Sequence, residues 1–173
     1  MKKTVQLVLF LAIISFISGL SIGIVNSFTE PVIEENAIKA ENKNLELIFP
    51  GGDFVAKDYV DEDGVIIGVY EVENTGYVFK ATAIGYNSST PIVCLIGMDN
   101  DGTIINVVAL EEQETSGVGS KCFETNNIEL LYMNKKLNEN IDGITGATFT
   151  SEAMNKMITS AWKAYENIKW RRG

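Results

Sequence analysis

VIIGVYEVENTGYVFKATAIGY, residues 65–86, reads as a β-hairpin. Both arms are rich in Val, Ile, Tyr and Phe, the residues that fit a pleated, half-buried surface. Asn74-Thr75-Gly76 between them is a turn signal. The pattern continues toward the C-terminus. Ile92 to Met98 and Thr103 to Leu110 are two more strand runs, separated by the turn residues Asp99-Asn100-Asp101-Gly102. The spacing thus predicts four strands over Val65–Val72, Tyr77–Tyr86, Ile92–Met98 and Thr103–Leu110, joined as neighbours in an antiparallel sheet. Several runs are apolar on both faces, so helices are expected to cover one side.

Two later segments are the expected covers, Ile128 to Lys136 and Ser151 to Lys169. The second is the clearest helix in the chain. Met154, Met157, Ile158, Ala161, Trp162, Tyr165 and Ile168 recur at the 3.6-residue period and form one apolar face. The fold class is therefore α+β, an antiparallel sheet covered by helices.

Toward the N-terminus the composition changes. Asp58 to Asp63 reads as an acidic surface connection, and Pro50-Gly51-Gly52 as a helix stop. Residues 28–50 read as a helical linker with a partly apolar face that includes Val32, Ile33, Leu47 and Ile48. Ahead of it, Val5 to Val25 carries no charge and few polar residues. Twenty-one residues at about 1.5 Å each span the ~30 Å hydrocarbon core of a bilayer. A signal peptide has a shorter apolar region, usually about 7–15 residues, and a small-residue cleavage site. Val25-Asn26-Ser27-Phe28 is a poor one, so a single uncleaved transmembrane helix is expected. The expected organisation is an anchor over 1–27, a linker over 28–50 and a folded domain over 51–173.

Charge orients the chain. Lys2 and Lys3 place the N-terminus in the cytoplasm and the domain outside. The chain has 173 residues, and beyond the apolar stretch 12 basic residues face 23 acidic ones, a net −11. That balance argues against nucleic acid and against docking on anionic lipid. There is no histidine, which removes Ser-His-Asp triads, Cys-His pairs and most zinc or copper sites. Cys94 and Cys122 alone cannot hold an iron–sulfur cluster, so redox chemistry would need an organic cofactor. The two thiols are open to either reading, a disulfide outside the cell or buried free thiols.

The remaining signals are two short motifs. Thr145-Gly146-Ala147-Thr148-Phe149-Thr150-Ser151 is a tight turn feeding the last helix. Thr148, Thr150 and Ser151 are all candidate caps. A hydroxyl-rich turn at a helix N-terminus, where backbone N–H groups are free, suits a phosphate. Upstream, Glu114-Thr115-Ser116-Gly117-Val118-Gly119 is a loop whose two glycines allow close backbone approach to a ligand.

Together these motifs resemble the FMN-binding domain family. Thr145-Gly146-Ala147-Thr148-x-Thr150-Ser151 is similar to its [ST]-G-A-T-x-T-S motif. Glu114, Thr115, Gly117 and Gly119 match its E-T-P-G-L-G segment, with Ser116 for the Pro and Val118 for the Leu. Glu112 stands where a His is common, and Gly85-Tyr86 resembles a further G-Y. The family includes the G subunit of Rnf-type ion-translocating ferredoxin:NAD oxidoreductases and the C subunit of the sodium-pumping NADH:quinone oxidoreductase.

The resemblance implies FMN joined to Thr148 by a phosphoester bond, made by a separate flavin transferase. It implies that Glu114 and Thr115 hydrogen-bond to the flavin and that Gly117, Gly119 and Gly146 let the backbone approach it. Thr150 and Ser151 would position the phosphate or cap the helix. The expected function is a membrane-anchored redox subunit, not catalytic alone, working with the other subunits of an Rnf-type complex. The alternatives are a C-type subunit of the quinone pump, a stand-alone tethered flavoprotein, and a non-redox anchored module.

Overall fold

A computed structural model describes residues 2–124, 127–136, 139 and 141–170. The chain divides into two compact units, Met1–Glu41 and Asn42–Gly173. The first is helical and belongs to α1 (Lys2–Ile48). Val5–Ser27, 23 residues, is long and apolar enough to cross a membrane. Its polar side chains fit an apolar surround. The hydroxyls of Ser21 and Ser27 donate to the carbonyls of Ile17 and Gly23, one turn back, at 2.8 and 3.0 Å. In hydrocarbon such internal partners replace water.

The second unit is built on five antiparallel strands in the order β1-β2-β3-β4-β5. They are β1 (Phe54–Lys57), β2 (Ile66–Val72), β3 (Gly76–Ala83), β4 (Ile92–Asp99) and β5 (Ile104–Glu111). Four of them lie where residue type and turn chemistry predict. Asn74 takes the positive φ of 57° that its turn requires, and Thr75 N–H closes the turn on Val72 O at 3.0 Å. Gly76 follows because a Cβ there would run into Met98 O of β4. At the next turn the Asp99 carboxylate accepts the N–H groups of Asp101 and Thr103 at 2.9 and 2.8 Å.

Strand β1 is additional to the predicted four. It has four residues, follows two glycines, and pairs with the open edge of β2 from Phe54↔Val72 to Lys57↔Val69. The second predicted run also ends earlier, at Ala83 rather than Tyr86. The residues beyond it leave the sheet to enter the site described below.

One sheet face packs against α2 (Asn127–Tyr132) and α3 (Thr148–Trp170). Phe79, Ile96, Met98, Met157 and Ile158 are among the side chains sealed between them. The helix α3 is pinned at its far end, where Trp162 Nε1 donates to Gly102 O at 3.0 Å and Tyr165 OH to Asn100 O at 2.5 Å. The opposite face is covered as well. Leu45, Ile48 and Phe49 pack on Val72, Val78 and Leu95. A Cβ at Gly97 would overlap Ile48, so the glycine is what lets the helix end lie flat on β4. The compact unit thus begins at Asn42, inside the segment whose composition reads as linker.

Both cysteines are free and buried. Cys94 contacts Met154 sulfur to sulfur at 3.8 Å, and burial pushes its thiol up to about 12.

Candidate functional site

The site forms where three stretches meet: the chain leaving β3, the loop leaving β5, and the start of α3. At the start of α3, Ala147 N–H bonds to Ile144 O at 3.0 Å and Ser151 N–H to Ala147 O at 2.9 Å. Gly146 supplies the turn with φ of 84°. Thr148 is therefore the first helical residue. Among the described residues, no acceptor takes the N–H groups of Thr148, Phe149 or Thr150. Thr145, Gly146 and Thr148 are exposed, and Ala147 is buried.

Among the described residues, none of the three candidate hydroxyls accepts an N–H group of the first turn of α3. Thr150 is fully buried and Ser151 nearly so. Ser151 Oγ accepts the Ile144 N–H at 2.9 Å and lies 3.6 Å from Cys122 Sγ. The Cys122 thiol is raised by burial, partly countered by this contact, with Glu114 raising it further. Thr150 Oγ1 donates to Glu114 Oε2 at 3.0 Å and accepts Tyr86 N–H at 3.4 Å. The two inner hydroxyls hold the turn in place. Thr148 alone of the three turns outward.

Glu114 is half-buried at the centre of this arrangement. Its Oε2 also accepts Asn87 N–H at 3.3 Å, and its Oε1 is buried without a partner. A Cβ at Gly85 would overlap Oε1, and one at Gly119 would overlap Oε2 and crowd Thr150. The two glycines of the separate motifs thus form a slot for one carboxylate. In this structure Glu114 faces protein groups from three segments.

The rest of the loop is a tight turn. Thr115 O accepts from Val118 N–H at 3.0 Å and from Ser120 N–H at 3.3 Å, Gly117 has φ of 74°, and Thr115 and Gly117 are exposed. A short 3₁₀ helix, Gly119–Cys122, follows and carries Lys121. Glu112, at the position where the family commonly has His, accepts the Glu114 N–H at 3.2 Å.

Three further residues of the site, Asn87, Tyr86 and Phe149, are not among those expected to hold the flavin. Asn87 donates through its amide to Gln113 O at 2.6 Å and to Thr90 Oγ1 at 3.0 Å, tying the β3 exit to the β5 exit. Its only local mark is a turn-rich stretch. Tyr86 and Phe149, both exposed, pair with ring centroids 6.2 Å apart beside Thr148. Phe149 also borders a groove of about 300 Å³, lined in part by Ala83, Gly85, Ala153 and Lys156. Among the described residues there is no cluster of three or more Cys, Asp or Glu placed to hold a metal ion.

Residues 85–163 match the FMN-binding domain family. That span runs from the slot glycine Gly85 through Glu114 and Thr148 into the buried part of α3. The chain is 27% identical, over 161 residues, to the G subunit of the proton-translocating ferredoxin:NAD(+) oxidoreductase complex of Clostridium ljungdahlii. The match covers 87% of this chain and 85% of that protein. It is 24% identical, over 194 residues, to the G subunit of the Na(+)-translocating ferredoxin:NAD(+) oxidoreductase complex of Acetobacterium woodii, covering 96% and 94%. Along most of its length the chain thus resembles these G subunits, and its C-terminal half carries the match to the FMN-binding domain family.

Proposed function

On that resemblance, we propose that this chain is the flavin-carrying G-type subunit of a membrane-bound, ion-translocating ferredoxin:NAD+ oxidoreductase. It carries FMN on Thr148 through a phosphoester bond and works with the other membrane and peripheral subunits of the complex. The observation that supports this reading most is the division of labour among the hydroxyls. Thr150 and Ser151 are buried and bonded to protein, whereas Thr148 is exposed beside three free N–H groups.

The residues fit the group. A phosphate ester on Thr148 would lie at the positive end of a 23-residue helix. Gly146, exposed and without a side chain, puts no Cβ over that end. FMN, when bound, accepts electrons and passes them on. The chain holds it without needing equilibrium affinity, so an exposed aromatic pair beside it, Tyr86 and Phe149, suffices as its surround.

A threonine hydroxyl is a weak nucleophile at neutral pH. Attachment therefore needs a separate flavin transferase acting on FAD. In that step the Thr148 oxygen bonds to the phosphorus of the FMN half, the pyrophosphate P–O bond breaks, AMP leaves, and the hydroxyl proton goes to the transferase. The N-terminus lies in the cytoplasm, by the Lys2-Lys3 start, and the domain outside.

Intact-protein mass after co-expression with a flavin transferase tests the reading. The expected gain is one FMN less water, about 438 Da. It should vanish in Thr148→Ala and persist in Thr150→Ala. A gain that survives Thr148→Ala would move the attachment point, and an unmodified wild-type chain beside a modified control would sink the flavin reading.

A further inference from the structure

The Glu114 loop ends in a cation aimed at the threonine turn. Lys121 Nζ lies 3.0 Å from where a Cβ on Gly146 would stand, two residues before Thr148. Lys121 is half-buried, and among the described residues no carboxylate pairs with its ammonium. Its backbone is fixed on both sides. Gly119 is packed against Glu114 and Thr150, Cys122 lies against Ser151, and Asn127 Nδ2 donates to Lys121 O at 2.8 Å. The first two ties run to α3, so the lysine is carried with the site.

Most other charges nearby are acidic, with Lys156 in the groove beside Phe149 as a second cation. Glu112, Glu114 and Glu124 lie on the same loop, Glu152 is on the first turns of α3, and the chain carries a net −9. A phosphodiester keeps one negative charge, and such a field repels it. Three backbone N–H groups supply partial charge only. A full positive charge close to the bond would offset that field, and Lys121 is placed at Gly146 to supply it.

We propose that Lys121 is the counter-charge of the Thr148 phosphodiester, a positioning residue that pairs with the phosphate oxygens and draws the flavin phosphate onto the turn during attachment. Gly146 is then required for two reasons, its positive φ and the space the ammonium occupies. This inference rests on the flavin reading above. It concerns which side chain meets the phosphate, not whether the flavin is there.

The test uses the full-length chain in detergent. First, wild type is flavinylated and compared with Thr148→Ala under reductive methylation, followed by peptide mass mapping. Lys121 should methylate several-fold more slowly in the flavinylated chain, with Lys57 and Lys163 unchanged as controls. Second, the initial rate of flavin attachment is followed by intact mass. Lys121→Gln should slow it about tenfold, the scale of one charge-assisted hydrogen bond, and Lys121→Arg should restore it to within about twofold.

Equal methylation of Lys121 in both chains overturns the proposal, as does an unchanged rate in Lys121→Gln. If Lys121→Gln does not fold, the methylation comparison on unaltered Lys121 still decides. Absence of flavin from the wild type would fail the flavin reading itself, a separate result from flavin present with Lys121 indifferent to it.

Discussion

Thr150 Oγ1 donates to Glu114 Oε2 at 3.0 Å across 36 residues of sequence. That bond joins the two motifs by which the site can be read, and it does so from the inside. Because Thr150 also accepts Tyr86 N–H, the start of α3, the β3 exit and the β5 exit share one hydrogen-bonded centre. Glu114 is therefore expected to act on the shape of the site. Glu114→Ala would strand the Thr150 hydroxyl and the Asn87 N–H, costing about 1–3 kcal/mol in urea unfolding. Gly119→Ala should destabilise by a similar amount, about 1–3 kcal/mol, through overpacking against the same carboxylate. A Glu114→Ala chain as stable as wild type would show that the carboxylate does not hold the three segments together.

The burial of Cys94 has a pH signature. Its thiol is raised from 9.0 to about 12 by burial. The folded chain keeps the proton while the unfolded chain loses it, so the stabilisation is full below pH 9.0 and is lost as pH rises to about 12. The urea midpoint of wild type should fall across that window. Cys94→Ala should show a shallower fall from a lower starting stability, and parallel curves would refute the assignment.

The end of α1 is part of the core. Ile48 is 4% exposed and touches Gly97 across the sheet face that α2 and α3 leave open. Ile48→Ala should cost about 2–5 kcal/mol, the range for a buried aliphatic truncated to a cavity. A chain beginning after Gly52 should bind a hydrophobic dye through the bared Val78 and Leu95. Near-wild-type stability of Ile48→Ala would mean that this face needs no cover.

Because both native thiols are buried, membrane sidedness can be read with one new cysteine. Ser88 is exposed in the loop after β3. Ser88→Cys should react with a membrane-impermeant maleimide on intact cells or spheroplasts, as an outward-facing domain requires. Reaction only after lysis would reverse the proposed topology.

Local pattern alone determined a good deal here. The four longer strands, the apolar face of α3 and the apolar N-terminal helix follow from period and turn chemistry, because each signal lies within one element. The order of the Glu114 and Thr148 motifs, with their resemblance to one family, marked the region that the family matches. What only the tertiary structure decided are the relations between distant segments. Strand β1 exists because β2 offers it an edge, and its four residues carry no period of their own. Leu45, Ile48 and Phe49 became core because the sheet has a second apolar face, which no reading of the helix alone reveals. Glu114, Thr150 and Ser151 look alike as polar ligands in the sequence. Folding turned them inward and left Thr148 outside, because at a helix start successive side chains point about 100° apart and only the packing chooses which one faces the solvent.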